Sequence, residues 1–158
     1  MFRQNLTPEQ AFQKMKHYCG YQERSHFEAK EKLYGFGLHK PDVEQLLSRL
    51  IEEDYLNEER FAIQFVGGKY RMKKWGRIKI IHELKQKRVS SYNIKKALLE
   101  IDEEAYDKTL LQLAATKWKS LKAEQYLNRL AKTTNYLLQK GYEPERISAS
   151  IKQIREKQ

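Results

Sequence analysis

Between residues 69 and 96 the chain carries eleven bases, Lys69, Arg71, Lys73, Lys74, Arg77, Lys79, Lys85, Lys87, Arg88, Lys95 and Lys96, against one acid, Glu83. That window nets +10, the formal charge of the whole chain, so the remaining residues balance at twenty of each sign. A charge excess confined to one stretch points to a local task, the attraction of an acidic surface. Trp75 and Tyr70 are interleaved with the bases, and aromatic rings among cations suit contact with nucleic-acid bases or with a protein surface. Arg77, Lys85 and Arg88 fall at spacings of eight and three, which puts them on one helical face if Ile78, Ile81 and Leu84 turn to the core. The expected binding residues are Lys69, Arg71, Lys73, Lys74, Trp75, Arg77, Lys85 and Arg88, with Trp75 read equally as an aromatic anchor or as core. The plainer reading is that these bases solvate an exposed helix; the interleaved aromatics and the shared face argue for more.

No constellation asks for catalysis. His82 and Glu83 open a zinc-protease signature, but Gln86 stands where the second histidine belongs. Gly67, Gly68 and Lys69 resemble the end of a phosphate-binding loop, yet Tyr70 replaces the magnesium-holding hydroxyl and Ile63 the first glycine. The glycine pair is better read as part of a helix that tolerates them at a close contact. The acids Glu52, Glu53, Asp54, Glu58 and Glu59 fit a helix start, with Asn57 as N-cap and two acids in the positive first turn, better than a metal site. His17, His26, His39 and His82 share no ligand spacing. The one cysteine, Cys19, excludes an internal disulfide and a cysteine-based zinc cluster and fits a reducing compartment. No metal, cofactor or catalytic residue is expected.

The elements that must position the basic segment follow from a repeat. One apolar frame occurs three times: Leu33, Leu38, Val43, Leu47, Leu50; then Leu84, Val89, Ile94, Leu98, Ile101; then Leu137, Tyr142, Ile147, Ile151, Ile154. Every copy has internal spacings of five, five, four and three, and the copies are offset by 51 and 53 residues. The four-three spacing places three apolar residues on one helical stripe, so each frame reads as helix, turn, helix. Gly37 and Gly141 stand four residues after the anchoring leucine, where a left-handed cap favours glycine. Arg88 holds that place in the middle copy, and must either adopt the same backbone at a cost or end the helix differently.

Start signals agree. Thr7, Pro8 and Gln10, and later Ser25 and Glu28, make two capping boxes. Pro41 and Pro144 suit the first turns of closing helices, with Ser90 or Ser91 capping the equivalent helix in the middle copy. A helix from about Asn57 to Lys73, with Phe61, Phe65 and Met72 among its apolar positions, opens the second unit; one near Glu103, with Leu110, Ala114 and Trp118, opens the third. The expected fold is all-α, nine helices in a tandem array of three three-helix repeats at residues 7–53, 54–101 and 102–158. Stacked repeats of this kind make an elongated, curved array. With no run of eighteen apolar residues, and an opening Met1, Phe2, Arg3, Gln4, Asn5 unlike a signal peptide, the chain is expected in the cytoplasm, with no membrane contact and as a monomer.

Tyr55, Leu56, Asn57, Glu58, Glu59, Arg60, Phe61, Ala62 resembles a signature of the RecX family, regulators of the RecA recombinase. Lys74, Trp75, Gly76, Arg77, Ile78, then Glu83 and Leu84, follow as in that family. Arg24, Ser25 and Leu33 resemble its first unit, and Gln139, Lys140, Gly141, Tyr142 the closing turn of its third. Arg88 departs, since the family usually has glycine there. The resemblance spans nearly the whole chain. It implies a protein that binds the RecA nucleoprotein filament on single-stranded DNA and inhibits filament extension, strand exchange, ATP hydrolysis and coprotease activity. Direct contact with single-stranded DNA stays open. Tyr55, Leu56, Phe61 and Ala62 are read as packing rather than contact residues. Reversal of Arg77, Lys85 and Arg88 to glutamate is expected to weaken inhibition without unfolding. The rival reading is a tandem helix-turn-helix protein that binds DNA without RecA, against which stands the presence of only Trp75 and Trp118 where such repeats use several tryptophans each.

Overall fold

The computed structural model describes residues 5–157, so Met1, Phe2, Arg3 and Gln4 of the opening segment lie outside the described residues. The described residues form nine α-helices and no strand: α1 (Pro8–Tyr21), α2 (His26–Gly35), α3 (Lys40–Glu52), α4 (Glu58–Lys73), α5 (Arg77–Gln86), α6 (Ser91–Leu98), α7 (Glu103–Ser120), α8 (Tyr126–Lys140) and α9 (Pro144–Glu156). The caps form as the local sequence requires. Thr7 and Ser25 each close a reciprocal capping box, with Gln10 and Glu28. The Arg60 backbone N–H donates to Asn57 Oδ1 at 2.9 Å, and that of Asn93 to Ser90 Oγ at 3.2 Å, so Ser90 rather than Ser91 caps α6. Pro41 and Pro144 occupy the first turns of α3 and α9.

Two compact units emerge. The first takes the chain up to Phe65 together with Leu84–Ala97; the second takes Val66–Glu83 together with the chain from Leu98 onwards. α4 and α5 therefore contribute residues to both. In the first unit α1, α2 and α3 pack on one another around Ala11, Phe12, Met15, Ala29, Leu33, Val43 and Leu50. Fully burying each large apolar side chain of this kind stabilises the fold by roughly 1.5–3 kcal/mol. In the second unit α7 packs against α8 and α9, burying Tyr106, Leu110, Ala114, Trp118, Leu137, Tyr142 and Ile147.

All fifteen frame positions face inward: twelve are buried, and Leu47, Leu98 and Ile154 are half-buried. The three equivalent turn positions share a left-handed backbone, with φ of 86° at Gly37, 60° at Arg88 and 99° at Gly141. Arg88 thus adopts the glycine conformation, at a cost of roughly 1–2 kcal/mol, and lays its guanidinium 4.9 Å from the Phe27 ring centroid. Two expectations change. Met72 is 83% exposed, so α4 does not bury it. On α5 the buried stripe is Ile80 and Leu84, while Ile78 is 49% exposed; the helix is turned from the Ile78–Ile81–Leu84 stripe because Gly76, four residues before Ile80, must lie against backbone.

Candidate functional site

That backbone contact sets the basic segment in place within the second unit. The Gly76 N–H donates to the Lys140 carbonyl at 2.8 Å and the Ile78 N–H to the Gly141 carbonyl at 2.9 Å. A β-carbon at Gly76 would collide with the Gly141 backbone, and one at Gly141 with the backbone and side chain of Lys79. Tyr142 Oη donates to the Lys74 carbonyl at 2.9 Å, and Lys140 Nζ to the Lys73 carbonyl at 3.1 Å. The end of α4 and the start of α5 are in this way bolted to the turn between α8 and α9. Lys74 itself holds a positive φ of 58°. A short connection between two helices becomes a fixed platform.

On it Trp75 is half-exposed. Its ring has Lys79 Nζ 4.5 Å and Lys69 Nζ 5.1 Å from the centroid, close enough for cation–π attraction of about 0.5–1 kcal/mol each at such a site. Arg71, Lys73 and Lys74 are exposed and make no ion pair among the described residues. Arg71 lies back over its own helix, with its guanidinium against Gly67; that close contact is the one expected for the glycine pair, whereas Gly68 faces open space. Lys69, Arg71, Lys73, Lys74 and Trp75 are thus brought together in the second unit. Lys85 and Arg88 belong to the first unit, both exposed.

Arg77 has a second use. Its side chain is only 14% exposed and forms ion pairs with Glu103 and, at 3.1 Å, Glu143. The guanidinium lies 3.9 Å from the Tyr106 ring centroid, and the Arg77 backbone N–H donates to Tyr106 Oη at 2.9 Å. Tyr106 Oη in turn donates to Glu143. Burial, followed by the hydrogen bond to Glu143, pushes the Tyr106 phenol well above its ordinary value, and burial does the same to Tyr142. Tyr70 stacks on Tyr106 with centroids 6.0 Å apart, and Tyr142 meets Tyr106 at a tilt, 5.2 Å away. Nothing near Arg77 or Trp75 in the sequence announces Glu103 and Glu143 as partners.

Most of the acids weighed for a metal site are otherwise engaged, Glu53 among them, paired with Arg49 at 3.0 Å. Asp54 and Glu23 hold Arg60; Glu58 accepts from the Ser90 N–H and from Asn93 Nδ2; Glu59 pairs with Lys96 at 3.0 Å. The hydrogen bond to Glu23 raises the Arg60 guanidinium above its usual range. Among the described residues no group of three or more His, Cys, Asp or Glu is placed to hold a metal ion. Cys19 is buried, and burial pushes its thiol up from 9.0 to about 11, away from nucleophile character. Among the described residues no helix is long and apolar enough to cross a membrane.

Comparison with known proteins gives the same outline. The family models for the second and third three-helix domains of RecX match residues 57–98 and 104–151. The regulatory protein RecX of Prosthecochloris aestuarii is 30% identical over 137 residues, 87% of this chain and 88% of its own length. That of Oceanobacillus iheyensis is 25% identical over 154 residues, 98% of this chain but 57% of its own, and that of Bacillus thuringiensis 24% identical over 96% of this chain and 56% of its own. The crystal structure of RecX from Lactobacillus salivarius superposes with a TM-score of 0.85 at 21% identity, covering 94% of this chain and 96% of that one. Fold and matches together define a helical regulatory protein built from three-helix domains, not an enzyme. The chain belongs to the RecX family.

Proposed function

We propose that this chain binds RecA filaments assembled on single-stranded DNA and inhibits their extension, strand exchange, ATP hydrolysis and coprotease activity, with consequences for recombination and repair. Its working units in this reading are the three repeats near 7–53, 54–101 and 102–158. The observation that carries the proposal is the fixed basic platform: Trp75 with Lys69 Nζ 5.1 Å and Lys79 Nζ 4.5 Å from its ring centroid, on a segment that also carries the exposed Arg71, Lys73 and Lys74. A half-exposed ring among cations offers a flat surface for an aromatic or planar group, and the surrounding bases offer charge for phosphates or carboxylates. Lys85 and Arg88 add to the charge presented by the first unit. Arg77 supports the platform from beneath instead of touching the partner.

The test is RecA ATP hydrolysis on single-stranded DNA as the protein is titrated in, with the paired variant Lys73→Glu, Lys74→Glu alongside. Inhibition by the parent well below the concentration needed to coat the DNA, weakened at least tenfold in the folded variant, is the expected result. Absence of inhibition, with tight duplex binding by the chain alone, would favour the tandem DNA-binding reading.

A further inference from the structure

We propose that the first unit carries a separate nucleotide subsite for single-stranded nucleic acid, in the cleft between the end of α1 and the face of α2. This cleft, of about 600 Å³, is lined by Lys14, His17, Tyr18, Tyr21, Arg24 and Lys32, with Gln13 and Phe36 completing it. None of these side chains is acidic. The nearby acids are held elsewhere: Glu23 by Arg60, and Glu28 by the Ser25 N–H and by Lys87 Nζ at 3.8 Å. Lys14, Arg24 and Lys32 form no ion pair among the described residues. The cleft therefore collects positive charge that no carboxylate of the fold neutralises, although Lys32 also lies 5.3 Å from the Tyr18 ring centroid and 5.6 Å from that of Phe36.

Its geometry suits a base as well as a phosphate. Arg24 is fixed by its Nε–H, which donates to the Tyr18 carbonyl at 3.1 Å, and its guanidinium lies 3.8 Å from the Tyr18 ring centroid. One face of that planar cation is covered by tyrosine, and a guanidinium held in this way is a planar surface beside which a base can stack. Tyr21, 79% exposed, stands at the edge of the same cleft with the Arg24 guanidinium 5.9 Å from its centroid. An isolated exposed tyrosine is unremarkable on a surface; one beside a fixed guanidinium and two lysines without an acidic partner among the described residues makes a stacking position with phosphate-binding charge around it.

The same fastening occurs in the second unit, where Arg129 lies 4.0 Å from the Trp118 ring centroid and its Nε–H donates to the Trp118 carbonyl at 2.8 Å. Arginine on an aromatic ring near the end of a helix, α1 in the first unit and α7 in the second, is thus a structural clasp in both. What distinguishes the first unit is the acid-free lining and the exposed Tyr21; the cavity beside Trp118 includes Glu156. An acidic peptide would use the cations but has no use for the ring planes, which is why a nucleotide strand is the occupant.

The experiment is fluorescence anisotropy of the full chain with a short fluorescein-labelled oligothymidylate, without RecA. Tyr21→Ala should weaken binding about tenfold, as loss of one base–aromatic stack does, while Tyr21→Phe retains it. Lys14→Ala and Lys32→Ala should each lower the magnitude of the slope of log affinity against log salt by about 0.7, the value for one phosphate contact on a single strand. Unchanged affinity in Tyr21→Ala with helical content intact, no binding by the parent, or displacement of the strand by polyglutamate as readily as by unlabelled oligothymidylate would each overturn the subsite. Since the assay contains no recombinase, its failure leaves the reading of the Trp75 platform standing.

Discussion

At the scale of single residues, the informative positions are those where one side chain serves two demands. Arg77 stands in a basic run, but its charge is opposed by Glu103 and Glu143, 26 and 66 residues further along the chain. Reversal by Arg77→Glu would leave like charges together in a mostly buried place. It should cost on the order of 3 kcal/mol, seen as a lower denaturant midpoint, so the triple reversal of Arg77, Lys85 and Arg88 would confuse loss of binding with loss of fold. Lys73→Glu and Lys74→Glu avoid that confusion. Gly68 is the opposite case, a helical glycine with open space where a methyl would go. Gly68→Ala should raise stability by roughly 0.5–1 kcal/mol, measured by the same denaturation. The sequence left two outcomes open at Arg88, whose frame equivalents are glycines, and the structure takes the left-handed one. The partners of Arg77 were not readable at all, because an ion pair between distant segments leaves no local spacing to detect.

At the scale of elements, the helices announced themselves through their ends: capping boxes at Thr7 and Ser25, prolines at the starts of α3 and α9, and Gly141 at the end of α8. Such signals act within a few residues, so sequence alone conveys them. Which face of α5 is buried was a different problem. Ile78, Ile80, Ile81 and Leu84 allow two apolar stripes through Leu84, and the choice depends on the backbone of Gly76 meeting that of Gly141. Tyr106 is the residue through which α5, α7 and α9 are tied together. Tyr106→Phe keeps the ring but removes the acceptor of the Arg77 N–H and the donor to Glu143, and should cost about 1–3 kcal/mol. The same burial sets an alkaline limit. Cys19, Tyr106 and Tyr142 all have folded-state pKa values above their unfolded ones, so the stability of their neutral forms is complete below the unfolded values and is lost as pH rises. Melting temperature should hold through neutral pH, begin to fall between 9.0 and about 11 as Cys19 responds, and fall further as the tyrosines follow. Cys19→Ala should remove the first part of that decline.

For the whole molecule, the decisive property is where the charge is left uncompensated. Twenty acids and twenty bases outside residues 69–96 balance, and many are joined in the ion pairs of the two units. The middle window keeps its excess because Arg71, Lys73, Lys74 and Lys85 have no acidic partner among the described residues. Attraction of this kind is screened by salt. Under the proposed function, binding to the RecA filament should therefore weaken as ionic strength rises from low to physiological, with the change falling on the association rate, a dependence that stopped-flow binding would resolve. The charge window and the family resemblance were both plain in the sequence; the cleft around Tyr21 was not, since Lys14, Tyr21 and Lys32 lie on two helices and meet only after folding.

The two tryptophans make the chain its own optical probe. Trp118 is 2% exposed with Arg129 over it, whereas Trp75 is half-exposed in the middle of the basic platform. Emission from the second should be red-shifted and open to acrylamide quenching, and that of the first blue-shifted and shielded. A Trp118→Phe variant that still folds would leave Trp75 as sole emitter, so a partner's arrival at the platform would be visible in the intrinsic fluorescence, with no dye attached.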